Sequence, residues 1–133
     1  MRGTQVLFSV ARFREFTGRF PRHITVVGFG LKRARFLDLH RAELRWPRSA
    51  FTYIGIDSDA TMDESAIAAE AKAYDQFVRD PRGCRGALLA KKKARNPYRR
   101  VHPYETSAPE LADVFEHCSV DGQPYLGPLP WDD

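Results

Sequence analysis

Gly28-Phe29-Gly30-Leu31-Lys32-Arg33 is the stretch whose residue types and spacing best suit ligand chemistry. It follows the β-branched run Ile24-Thr25-Val26-Val27 and leads into a segment of helical periodicity. In open α/β sheets, ligands bind beyond the carboxyl end of a strand, at turns of this kind. Free backbone amides and the positive helix end favour an anion there. Lys32 and Arg33 add charge, and the planar Arg33 guanidinium matches phosphate or carboxylate bidentately. Position 33 is Arg rather than Gly, so the turn is not a full dinucleotide fingerprint, and it is no P-loop. The alternative is a tight turn followed by solvated basic residues. Asp57 and Asp59 come just after a second β-rich run, Phe51–Ile56. Both could bind a metal or a ligand hydroxyl, but with two carboxylates alone there a loop or capping role is the first reading.

The other candidates are weaker. His40 lies seven residues after Arg33, on nearly the same helix face but two turns away, so it reads as a satisfied structural histidine. Cys84 and Cys118 are far apart in the chain, with His117 the one ligand-type neighbour of either. Two such cysteines suggest neither a disulfide framework nor a zinc site, and they point to a reducing, intracellular and cytoplasmic setting. A nucleophile elbow is absent. No catalytic residue, cofactor or metal is assigned. Lys91-Lys92-Lys93-Ala94-Arg95 and Tyr98-Arg99-Arg100 hold six basic residues and an aromatic. They could neutralise phosphates and stack on a base. The segment reads first as a solvated helix face and loop paired with the acidic tail, and a nucleic-acid-binding module is the second reading.

These residues must be positioned by few elements. Apolar spacing predicts a helix from Thr4 to Thr17, capped at Gly18 and stopped by Pro21. Ile24–Gly28 is expected to be a fully buried strand, Leu31–Arg45 an amphipathic helix ended before Pro47, and Phe51–Ile56 a second strand. Thr61-Met62-Asp63-Glu64 has capping-box spacing and opens a helix to about Arg79, with Ile67, Ala68, Ala71, Tyr74 and Val78 on one face. Ala87–Arg95 is a short helix and 97–106 a loop. Ser107-Ala108-Pro109-Glu110 repeats the capping-box spacing ahead of a helix to about His117. The chain divides into one α/β domain, 1–118, and an irregular surface tail, 119–133, rich in Gly and Pro.

Strand–helix–strand argues a right-handed parallel crossover, and hence an α/β class. Two strands are few for a parallel sheet, which is normally covered on both faces. An open strand edge is therefore expected, with self-association through it. With 133 residues, 43% apolar and 29% charged, the composition is that of a globular domain. No apolar run of about 18 residues could span a membrane. Arg12 and Arg14 interrupt the first apolar stretch, so no signal peptide is evident. The net charge of +4 conceals blocks of +8 (1–48), −5 (49–80), +8 (81–100) and −7 (101–133). Folding can pair these blocks, and a basic face for an anionic partner is the alternative.

Leu7-Phe8-Ser9, Arg12–Gly18, Ile24–Gly28, Lys32–Phe36, Leu39-His40-Arg41 and Phe51–Asp57 together resemble a known group. So do Arg95–Arg100, Pro103-Tyr104-Glu105 and Leu129-Pro130-Trp131. The sequence is similar to the eukaryotic branch of the domain of unknown function 218 family, relatives of the bacterial YdcF, SanA and ElyC proteins, over residues 7–131. The resemblance implies a partial Rossmann-like three-layer α/β fold and no particular reaction. It places basic ligand-edge residues at Lys32, Arg33 and Arg35. It also implies an earlier half, with a first strand, a glycine-rich turn and an acidic Ser/Asn motif, where this sequence instead has Met1-Arg2-Gly3-Thr4-Gln5. The expectation is therefore a truncated domain. It would bind a small anionic or nucleotide-like ligand through Gly28, Gly30, Lys32, Arg33, Arg35 and Asp57, or else be a remnant without function.

Overall fold

Two parallel strands, β1 (Ile24–Phe29) and β2 (Phe51–Ile56), pair in register from Ile24 opposite Phe51 to Phe29 opposite Ile56. The computed structural model describes residues 4–58 and 62–132. Helix α1 (Gln5–Thr17) precedes the sheet and ends at Gly18, whose φ of 75° is the left-handed cap expected there. The crossover helix (30–43) joins the strands. It opens with a 3-10 turn at Gly30–Lys32, widens to π-helical bonding over Arg35–His40 and closes with the α turn α2 (Arg41–Glu43). After β2 come α3 (Glu64–Arg79), α4 (Gly86–Arg95), α5 (Tyr104–Ser107), a 3-10 turn at Pro109–Leu111 and α6 (Ala112–Glu116). The molecule is thus a mixed α/β fold in which helices flank a small parallel sheet.

The core lies on one side of that sheet. Val6, Leu7, Val10 and Ala11 of α1 pack with Leu44, Trp46, Phe51, Ala108, Leu111, Val114 and Phe115. Ile24 and Val26 adjoin this cluster from β1. The strands are not buried on both faces, contrary to the reading of β1 as a fully buried strand. Burial alternates along each, and Val27, Phe29, Ile54 and Ile56 are 59%, 45%, 48% and 58% exposed on the outer face. The crossover helix packs on the inner face, where the Phe36 and Tyr53 rings lie 5.5 Å apart. Helix α3 lies against the crossover helix, not over the outer face: Phe77 meets the His40 ring at 4.6 Å and Glu70 pairs with Arg35 at 2.8 Å.

Several local expectations are corrected. The packed face of α3 carries Ala66, Glu70, Ala73 and Phe77, whereas Ile67, Ala68, Ala71 and Val78 are exposed. The Arg35–Glu70 pair and Phe77 set that rotation, which apolar spacing alone could not show. Asp63 caps α3, its Oδ1 accepting from the Ala66 amide at 2.7 Å, while the expected capping Thr61 lies outside the described residues. The second capping box does not form. Ser107 donates to Glu15 at 2.6 Å and Glu110 accepts from Arg14, so both residues tie the 104–116 region to α1 instead. Residues 104–106, expected to be loop, belong with Ser107 to α5.

Cys84 and Cys118, which suggested a reducing setting and no disulfide framework, are joined in a disulfide with Cα atoms 6.1 Å apart. It fastens the turn before α4 to the end of α6. The segment after Ser119 is irregular but not wholly superficial. Leu129 is buried, and the Trp131 ring lies tilted against that of Trp46 at 4.9 Å and donates from Nε1 to the Leu44 carbonyl at 2.8 Å.

Candidate functional site

The two parallel strands end at the same edge, and the turn at Gly28–Arg33 follows directly from β1. Here the backbone amide of Gly30 donates to Oδ1 of Asp57 at 2.9 Å. A carboxylate oxygen therefore sits where the first amide of a helical turn would hold a ligand anion. The approach is close: a Cβ on Gly30 would lie 2.5 Å from Asp57 Oδ1, so glycine is what permits the contact. Asp57 thus acts as a cap, the first of the roles its position suggested.

Tyr53 holds the turn from below. Its hydroxyl donates to the Phe29 carbonyl at 2.6 Å, and a Cβ on Gly28 would come within 2.7 Å of that hydroxyl oxygen. Arg33 folds back over β2. It donates from its NH1 nitrogen to the Tyr53 carbonyl at 2.9 Å, and its guanidinium lies 5.3 Å from the Tyr53 ring centre. Gly28, Gly30, Arg33 and Asp57 are therefore brought to one strand edge, around a tyrosine that motif reading had not singled out. A cue for Tyr53 exists in the alternation Phe51-Tyr53-Gly55, which marks the inward face of β2.

Lys32 and Arg35 diverge from that group. Lys32 lies over the Phe29 ring, with Nζ 5.4 Å from its centre, towards the outer sheet face. Arg35 points to α3. Its guanidinium is paired with Glu70 and sits 5.8 Å from the Phe36 ring centre and 5.5 Å from that of Phe77. Beside the turn, Leu31 from the crossover helix and Ile67, Ala71, Tyr74, Glu70 and Asp75 from α3 line a shallow, open depression of about 350 Å³. Its walls are apolar with an acidic rim. Asp59, the other carboxylate considered, lies outside the described residues.

His40 packs inside the fold, as expected of a structural histidine, but its Nδ1 is not satisfied by hydrogen bonding. It is 5% exposed, its Nδ1 has no partner, and the Phe36 and Phe77 rings meet it edge-on. Burial pushes its pKa down to about 3, with Arg35 and Lys92 adding repulsion. Nearby, buried Glu43 pairs with buried Arg82, which also donates to the Val114 carbonyl. Burial raises the Glu43 carboxyl above its usual range, against the pull of Arg82.

The basic segment 91–100 is not uniformly solvated. Lys92 is partly buried and donates to the Arg82 carbonyl. Lys91, Lys93, Arg95, Arg99 and Arg100 are exposed, and the Arg100 guanidinium lies 5.8 Å from the ring centre of exposed Tyr98. Two acids of the 101–133 block pair with the first basic block, Glu110 with Arg14 and Asp132 with Arg45. Among the described residues, no three His, Cys, Asp or Glu side chains cluster as metal ligands. No described helix is long and apolar enough to cross a membrane.

No family model matches the chain, and no solved structure matches it. It is similar to the uncharacterized protein YOR238W of Saccharomyces cerevisiae, with 33% identity over 109 residues. The match covers 74% of this chain and 36% of the yeast protein, so the chain spans little more than a third of that relative's length.

Proposed function

We propose that the chain binds a small anionic, nucleotide-like ligand at the carboxyl edge of its sheet. The observation that carries this reading is the Gly30–Asp57 contact. An amide at the start of a helical turn already holds a carboxylate oxygen, and a ligand phosphate has the charge and acceptor geometry to replace it. Arg33 fixes the turn against β2, and Lys32, which rests over the Phe29 ring, is close enough in the chain to swing to the edge and supply positive charge to a bound anion. The depression beside Leu31, with Tyr74 in its wall, offers an apolar surface for a base or sugar. The resemblance to the domain of unknown function 218 family, with its basic residues at the matching turn, supports the same placement. It also supports reading the chain as part of a larger α/β domain.

The direct test is thermal unfolding of the chain with AMP, ADP, ribose 5-phosphate and inorganic phosphate. A ligand at a hundred times its Kd adds about 2.7 kcal/mol of stability, which raises Tm by on the order of 8 °C in a domain of this size. Lys32→Ala should abolish most of that rise. No rise with any of the four compounds, or an equal rise in the Lys32→Ala chain, would sink the reading.

A further inference from the structure

We propose that the surface running from the end of α4 into the turn after it binds a single-stranded polynucleotide, its cations against the phosphates and Tyr98 stacked on an unpaired base. Between Pro81 and Tyr104 the chain holds no acid. Lys91, Lys93, Arg95, Arg99 and Arg100 in this stretch are all exposed, and among the described residues none of the five is in an ion pair. Asp80, the acid just before it, instead accepts from the Cys84 and Arg85 amides. A helix C-terminus favours cations, which accounts for Lys93 and Arg95 but not for Lys91 or for the two arginines beyond the cap. Lys91 and Arg95 lie one turn apart on one side of α4, about 6 Å along its axis.

The turn after α4 holds an aromatic ring out in solvent. Asn96 closes it: its carbonyl accepts from the Arg99 amide at 3.1 Å and its Oδ1 from the Arg100 amide at 2.9 Å. Its Nδ2 donates to the Arg100 carbonyl at 2.8 Å. Pro97 restricts the backbone at the start of the turn, and Arg99 takes a left-handed φ of 51°. Tyr98 between them is 81% exposed and belongs to neither the core nor the residues packed on it. The Arg100 guanidinium lies 5.8 Å from its ring centre, so a ring and a cation are presented together.

That combination selects the partner. Every nucleotide carries a phosphate and a flat base joined through one sugar, and base stacking on an aromatic side chain tolerates any sequence. An acidic peptide supplies charge without a ring at each repeat. An anionic lipid surface takes up several bulky apolar side chains, whereas this turn offers Tyr98 and Val101. In a duplex the bases are already stacked on one another, which leaves Tyr98 nothing to stack on.

This surface uses none of the residues of the sheet-edge site, so either proposal can fail alone. Fluorescence anisotropy of labelled RNA and DNA strands of about twelve nucleotides, and of the DNA duplex, titrated with the full chain, is the test. Both strands should bind at least about fivefold tighter than the duplex, and the tighter of the two identifies the natural sugar. With five cations on phosphates, the strand Kd should rise about a hundredfold between 50 and 200 mM salt, and only about twentyfold in Lys91→Ala with Arg95→Ala. Tyr98→Ala should weaken binding at least about fivefold while Tyr98→Phe binds as the parent does, which separates stacking from charge. Lys32→Ala should leave strand binding unchanged. No strand binding at about 50 mM salt, equal binding of strand and duplex, or a Tyr98→Ala chain that binds as the parent does would overturn the proposal. So would displacement of the strand by polyglutamate as readily as by unlabelled strand, the mark of a surface that reads charge alone.

Discussion

Asp57 and His40 show how far single residues here are governed by their surroundings. Asp57 is a carboxylate used as a cap, made possible by the missing side chain at Gly30. His40 is a base that cannot take a proton in the folded chain until the pH falls to about 3. The unfolded chain protonates it near 6.5. Because the folded pKa is the lower one, the unfolded state holds more protons between these values. Stability is therefore full above about pH 6.5 and falls as pH drops towards 3, by at most about 1.4 kcal/mol per pH unit from this group. Urea unfolding of the parent and of His40→Leu across that window should show a shallower slope in the variant. Parallel pH profiles would mean that the ring titrates normally in the fold.

Elements are held to one another by a few specific links. The Glu43–Arg82 pair joins the crossover helix to the turn before α4 and, through Val114, to α6. Removing one member of such a buried pair typically costs about 3–5 kcal/mol, because the other charge is left unpaired. The Cys84–Cys118 bridge closes a sequence separation of 34 on the same region. By chain-entropy reasoning it contributes about 3–4 kcal/mol, so Cys84→Ser with Cys118→Ser should lower Tm by on the order of 10 °C. Calorimetry of that variant beside the parent under non-reducing conditions checks this, and equal midpoints would show that the bridge does not constrain the chain.

Much at this scale was legible in the sequence, and the failures have physical causes. Helix α1, both strands, the parallel crossover and α3 follow from local periodicity and from Gly and Pro positions. The second capping box failed because a side chain that can cap locally can also be claimed by a distant partner, as Ser107 is by Glu15 and Glu110 by Arg14. The face of α3 was misjudged because Glu70 and Arg35, two charged residues, occupy its packed side. Gly28, Gly30, Arg33 and Asp57 were identified by type and place along the strands, but Tyr53 beneath them and the pairing of the cysteines depend on contacts that spacing does not encode.

For the whole molecule, charge and shape give separate results. The alternating charge blocks are tied together in the fold by Arg14–Glu110, Arg35–Glu70 and Arg45–Asp132, each linking a basic block to an acidic one. Intramolecular pairing therefore accounts for part of a pattern that could otherwise signal a polyanion partner. Shape points outward, because the core occupies one side of the sheet and leaves an apolar face bare. The functional reading depends on the carboxyl edge of that same sheet. The Gly30 amide resonance in a nitrogen–proton correlation spectrum reports on it most directly, as ADP or inorganic phosphate is added. The account predicts that this resonance shifts saturably as the anion displaces Asp57, and that Lys32→Ala weakens the response at least about tenfold. A Gly30 resonance that stays in place at saturating anion would contradict it.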